Sequence, residues 1–195
     1  MVEFRQNFEP LSIRESTKSQ GAGGIEVAGY AARFDVESYP LDSFYEQIRA
    51  GAFAAALADR EQDTIALRDH NPSDLLGRRS AGTLSLHEDK YGLAFRLLLP
   101  PTQLGNDVAT LIRRGDLNSC SFGFNVAPVG GDTWSITSDG RRLRTIRSVS
   151  RLIDVSLVTC PAYPQTSVAL GTRPLVRAHN LDAERLRLLE ISCPK

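Results

Sequence analysis

The chain has 195 residues, is 42% hydrophobic and 24% charged, and balances 23 Lys and Arg against 23 Asp and Glu. That describes one globular domain, with or without tails, that can bury a core, and the zero net charge argues against a general nucleic-acid binder. No apolar run approaches the ~20 residues that span a bilayer, and the opening MVEFRQNFEPLSIRES lacks the apolar core of a signal peptide, so neither a membrane nor a secretory route is expected.

FEPLSIRE and IEVAGYAARF read as two N-terminal strands around the flexible segment Lys18–Gly24 (KSQGAGG), the second alternating well. SFYEQIRAGAFAAALAD, from Ser43, reads as a helix or two short helices broken near Gly51, with Ile48, Phe53 and Leu57 on the buried side. DTIALRDHNPSD is a strand running into a turn, stopped by Asn71-Pro72. GTLSLHEDKYGLAFRLLLP is a hairpin around HEDKYG. TQLGNDVATLIRRGDL is a helix with Leu104, Val108, Leu111 and Ile112 on one face and Gly115 at its C-terminal stop. NSCSFGFNV follows as a strand. TWSITSDGRRLRTI is a hairpin turning at Asp139-Gly140, and SRLIDVSLVT is a strand closed by CPAYP. A polar stretch leads to the short amphipathic helix LDAERLRLLEIS. Three segments result: residues 1–24, a strand and flexible segment; 25–171, the main domain; 172–195, a tail. Many short strands with few helices predict a mainly β fold, a closed or nearly closed β-barrel with a few helices packed around it.

The stretch NSCSFGFNV raises a chemical question. As a strand it turns Ser119, Ser121, Gly123 and Asn125 to one face and Cys120, Phe122, Phe124 and Val126 to the other, which is apolar core. The small polar face is either a solvated strand surface with Gly123 at a bulge, or a site where a serine acts as a nucleophile once a base takes its proton. Of the three histidines, His70 sits where a strand ends in a turn and could project into a cleft. Its plain alternative is a surface histidine paired with Asp69 or Asp74. His87 lies in a polar turn and His179 in the tail. A base needs an acceptor on its second ring nitrogen. Asp154 interrupts the apolar run RLIDVSLV, and a carboxylate there requires a partner. That partner is a histidine, or one of Arg141, Arg142, Arg144, Arg147 and Arg151. The order His70, Ser121, Asp154 matches none of the familiar hydrolase orders, and no GxSxG elbow is present. Cys120, Cys160 and Cys193 are odd in number with no CxxC spacing, which argues against a disulfide framework or zinc site and for a reducing, intracellular compartment. No cofactor or metal is expected; a metal hydrolase built on His70, Asp69 and Asp74 is disfavoured because neighbours on a strand face apart. From the residues alone, the reading stops at a serine hydrolase on a β-barrel.

Five blocks, in order, carry a resemblance: GYAARFD with EQIRAGAF; ALRDHNPSDLLGR; GTLSLHEDKYGLAFRLLLP; LIRRGDLNSCSFGF; and LIDVSLVTCPAYPQT. Over roughly Val27 to Val168 the chain resembles the prohead proteases of tailed phages, of the HK97 type, which are related in fold to the herpesvirus assembly proteases. The resemblance implies a serine endopeptidase with Ser121 as nucleophile, His70 as general base and Asp154 as the acid that orients it. Many members carry Glu at that last position, and Asp is one methylene shorter. Asn118, Ser119, Cys120 and Phe122 would shape the site, with Ser119 the nearest rival nucleophile. An oxyanion hole would come from backbone N–H groups near Cys120–Phe122 or an arginine of 141–151. The resemblance also implies substrates and partners: the major capsid protein with its scaffolding segment, the portal, and the chain itself, as substrate and as homo-oligomer. It implies residence in the host cytoplasm within the prohead, and self-removal of the tail. The rival on the same fold is a catalytically inactive capsid-assembly or scaffold protein.

Overall fold

The computed structural model describes residues 2–7, 11–16, 24–41 and 43–159. Most of the Lys18–Gly24 segment, the CPAYP turn with Cys160, and the tail with His179, Cys193 and its expected helix lie outside these residues.

In chain order the elements are β1 (Glu3–Asn7), β2 (Ser12–Ser16), β3 (Gly24–Arg33), β4 (Tyr45–Ile48), α1 (Ala54–Ala58), β5 (Ile65–Arg68), β6 (Asn71–Arg78), β7 (Leu84–Glu88), β8 (Gly92–Leu98), α2 (Gln103–Arg114), β9 (Ser119–Val126), β10 (Asp132–Ile136), β11 (Arg142–Ile146) and β12 (Val149–Val158). They form a five-stranded sheet ordered β1-β9-β12-β5-β6, a four-stranded sheet β2-β3-β8-β7 and a three-stranded sheet β10-β11-β4. β12 is the spine of the first sheet, antiparallel to β9 and parallel to β5.

The sheets share one core. Val27, Leu93 and Phe95 come from the four-stranded sheet, Phe122, Phe124 and Leu152 from the five-stranded one, and Ile48 and Ile146 from the three-stranded one. Phe122 stacks on Phe124 at 5.2 Å and meets Phe53 edge-on at 5.6 Å. Each such ring contributes about 1.5–3 kcal/mol by leaving water. α2 closes one side with Val108, Ala109 and Ile112. Its ends follow its sequence: the Thr102 hydroxyl accepts from the Gly105 N–H, and Gly115 takes a left-handed turn at φ 80°.

Three expectations need correction. The barrel does not close: among the described residues the strands form three separate sheets with free edges, and only two helices, both short, pack on them. Alternation tells which face of a strand is buried, but not whether its edge finds a partner. The helix expected from Ser43 is half strand. YEQI forms β4, pairing in parallel with β11, and only Ala54–Ala58 is helical. Ile48 and Phe53 are nonetheless buried and Leu57 packs on the core. Asn71-Pro72 does not stop the run either; it opens β6, an edge strand on which a proline's missing donor costs no ladder bond. The two expected hairpins, β7–β8 and β10–β11, form as read.

Candidate active site

Three elements converge on one face of the five-stranded sheet. β9 carries Ser121, and β12 carries Asp154, two residues short of the position paired with it: Ser156 lies opposite Ser121, and Asp154 opposite Gly123. β5 runs beside β12 and ends in a two-residue turn, Asp69-His70, before β6 returns. Both turn residues have positive φ, 49° and 56°, the pattern of a tight hairpin turn whose twist matches its strands. Such a conformation costs a residue with a Cβ about 1–2 kcal/mol. The turn is tied down by the Asp69 N–H donating to the Leu157 carbonyl at 3.0 Å and by the Thr159 N–H donating to Asp69 Oδ1 at 3.1 Å. Arg68 adds an ion pair to Asp69.

From that turn the His70 ring folds back over the sheet. Its Nδ1 lies 2.7 Å from Asp154 Oδ1 and its Nε2 2.5 Å from Ser121 Oγ, joining residues 84 and 51 positions away. With the proton on Nδ1 donated to the carboxylate, Nε2 is the acceptor for the serine hydroxyl. Asp154 is 3% exposed, and its Oδ1 also accepts from the Ser156 hydroxyl at 2.6 Å. Neither surface partner of His70 holds: Asp69 faces Arg68, and Asp74 accepts from Asn71. The arginines do not claim Asp154 either. Arg141 pairs with Glu37 and Asp139, Arg144 with Glu3, Glu46 and Asp132, and Arg142 lies over Trp134.

Gly123 answers to this geometry. A Cβ there would stand 2.5 Å from Asp154 Oδ2 and 2.8 Å from the Phe4 ring, so only glycine lets the carboxylate cross the strand. The register of β12 against β9 shifts between Leu152 and Asp154, which aims the aspartate.

The other candidates fall into two groups. Ser119 is buried and donates to Asn118 Oδ1 at 2.8 Å, with no bond to the imidazole. Cys120 and Phe122 are wholly buried in the core. Burial, reinforced by the charge of Asp154, pushes the Cys120 thiol far above its usual range, so it stays protonated. Sequence reasoning missed Ser156, although the i, i+2 spacing from Asp154 puts both on one face of β12. It also missed β1, whose partnership with β9 has no signature in composition. β1 pairs antiparallel with β9, Phe4 packs edge-on against His70 at 4.5 Å, and the Ser121 hydroxyl lies 2.9 Å from the Arg5 carbonyl oxygen.

A hydroxyl, an imidazole and a buried carboxylate joined in this order form the arrangement found in serine hydrolases, carried here on a mainly β scaffold. A sequence model of the caudovirus prohead serine proteases matches residues 10–180, and the chain belongs to that family. It is therefore a protease of phage capsid assembly, with capsid proteins as its partners and the phage capsid in the host cell as its place of action. The capsid assembly protease of bacteriophage T4 is similar in fold, at a TM-score of 0.55 and 13% identity, over 82% of this chain and 98% of that one. A search of curated proteins finds no match. No helix among the described residues is long and apolar enough to cross a membrane.

Proposed function

We propose that the chain is a serine endopeptidase that works through an acyl-enzyme. His70 Nε2 takes the proton of Ser121 as its oxygen attacks a peptide carbonyl, and Nδ1–H stays on Asp154, which steadies the tautomer and the charged ring. The imidazolium then protonates the leaving amine. Water, activated by the same ring, hydrolyses the ester. Ser156 holds the carboxylate in aim. The observation that carries this reading is the imidazole bridging Ser121 Oγ and Asp154 Oδ1 at 2.5 and 2.7 Å.

Family membership supports the biological setting. The substrates are the scaffolding segment of the major capsid protein and the chain itself, cut inside the immature prohead, with the portal and further copies of the chain as neighbours. The working domain is residues 25–171, and residues 172–195 are a tail removed by self-cleavage.

Intact mass followed over time tests this, with the wild type and Ser121→Ala each incubated alone and with an alkyl fluorophosphonate. The wild type is expected to shorten and to take one phosphonyl group on Ser121, with no change on adding a chelator, while Ser121→Ala does neither. Shortening or labelling that proceeds equally in both chains overturns the assignment.

A further inference from the structure

Ser121 is 0% exposed, although a nucleophile for peptides must meet a peptide. What lies against it is β1. One edge of β9 is laddered to β12, and β1 fills the other, with Gln6 opposite Ser121. A free strand edge of this kind is where an extended peptide adds to a sheet. The Ser121 hydroxyl has one proton for two acceptors, His70 Nε2 at 2.5 Å and the Arg5 carbonyl at 2.9 Å. β1 thus presents a peptide carbonyl to the nucleophile, but by its oxygen rather than its carbon, in a pose that engages the hydroxyl without being attacked. The family match begins at residue 10, so β1 lies outside the part shared with the family.

The side chains of β1 show what the seat accepts. Arg5 turns to the inner face and meets Glu46, which is 0% exposed, through two bonds of 2.6 and 2.9 Å. Glu3 accepts from Arg144 at 2.6 and 3.0 Å. Between them, the Phe4 ring meets the imidazole edge-on. With β1 withdrawn, Glu46 and Asp132 keep the guanidinium of Arg144, at 3.3 and 2.7 Å, while Glu46 loses the two shorter bonds from Arg5. A buried carboxylate that gives up such bonds calls for a cation in their place.

We propose that β1 occupies the seat of an extended peptide substrate, so that Glu46 selects an arginine or lysine whose carbonyl faces Ser121, and Arg144 selects an acidic side chain two residues earlier. This rests on the serine-peptidase reading. In the resting chain β1 is then an internal competitor, and activity requires it to leave.

The test compares rates of fluorophosphonate labelling at Ser121 in the full-length wild type, Arg5→Ala and Glu3→Lys, each checked for a cooperative melt. Arg5→Ala takes two short bonds from a buried carboxylate and can unfold the chain. Glu3→Lys, at the rim, loosens β1 without that cost. Because labelling scales with the open fraction, both variants should label about tenfold or more faster than the wild type. Adding the peptide Glu-Phe-Arg-Gln-Asn should slow labelling of the loosened chains, and the same peptide with Ala for Arg, or Lys for Glu, should protect about tenfold less well. Equal rates in wild type and variants overturn the proposal while the serine reading stands, as does equal protection by all three peptides. If no chain takes the adduct, the serine assignment itself fails and this inference falls with it.

Discussion

Replacing Gly123 by alanine tests whether the carboxylate is held where the chemistry needs it. The backbone of Gly123 is ordinary strand, so the substitution acts through space alone. The new Cβ would lie 2.5 Å from Asp154 Oδ2, roughly 0.9 Å inside the 3.4 Å of ordinary van der Waals contact. Phe4, half exposed, can swing away; Asp154, 3% exposed, can move only by giving up its aim. Displaced by that amount, the 2.7 Å bond to His70 would lengthen to about 3.6 Å, which is no longer a hydrogen bond. A misplacement of this size in a catalytic array costs about 10²-fold in rate. Overpacking adds a stability loss of about 1–3 kcal/mol, or about 2–4 °C in Tm per kcal/mol for a chain of this size. The assay is Ser121 phosphonylation followed by intact mass. It is run in a Glu3→Lys background so that displacement of Phe4 does not enter the comparison, alongside a thermal melt. A Gly123→Ala rate within about threefold of its parent would refute the argument that this glycine exists to admit the carboxylate.

Ser156→Ala removes a hydroxyl that donates to the Asp154 carboxylate at 2.6 Å, a bond to a charged group worth about 1.5–3 kcal/mol; peptidase kcat/KM should fall about tenfold or more, and Ser156→Thr should recover part of it. Cys120→Ala should keep Ser121 phosphonylation and lose about 1 kcal/mol in denaturant unfolding, and iodoacetamide should leave Cys120 unmodified in the folded wild type, because that thiol faces the core. Glu88 accepts from the Phe53 N–H at 2.9 Å, yet burial outweighs that bond and raises its pKa. The folded chain therefore holds this proton to higher pH than the unfolded chain, and the group's contribution is favourable in acid and lost as pH rises through the folded pKa. Relative to the wild type, Glu88→Gln should gain stability as pH rises from the ordinary carboxylate range through the raised folded pKa, read as a difference in Tm.

How far the sequence could be read depended on whether the cue was local. The shared face of Leu104, Val108, Leu111 and Ile112 and the stop at Gly115 lie in or next to α2, and that helix appears as expected. The face assignment of β9 followed from alternation alone, and its core face is buried as read. The polar face was harder. Alternation could not say that Ser119 and Ser121 are also fully buried, because burial depends on neighbours distant in sequence, for Ser121 β1 at its edge and the His70 ring. YEQI was misassigned because its partner, β11, lies about a hundred residues away in sequence, and a parallel ladder overrides local helical preference. Sheet closure was misjudged for a similar reason: it depends on which edges find partners, and edge partners are long-range. His70, Ser121 and Asp154 were each legible as residues needing an explanation, but their meeting was not, since it requires β5 to lie parallel to β12 and the Asp69-His70 turn to fold back.

That turn has a further consequence. His70 sits at φ 56°, in the left-handed region that glycine enters freely and a residue with a Cβ enters at a cost. The proposed base is therefore held in a strained backbone that its bond to Asp154 and the turn's bonds to Leu157 and Thr159 must sustain. Exchanging His70 for glycine should abolish turnover and relieve strain of about 1 kcal/mol, but at the cost of a bond to a buried carboxylate worth about 1.5–3 kcal/mol, so the net change should be a loss of stability. On the proposed mechanism, the bond to Asp154 both steadies the imidazole and holds the turn against its strain.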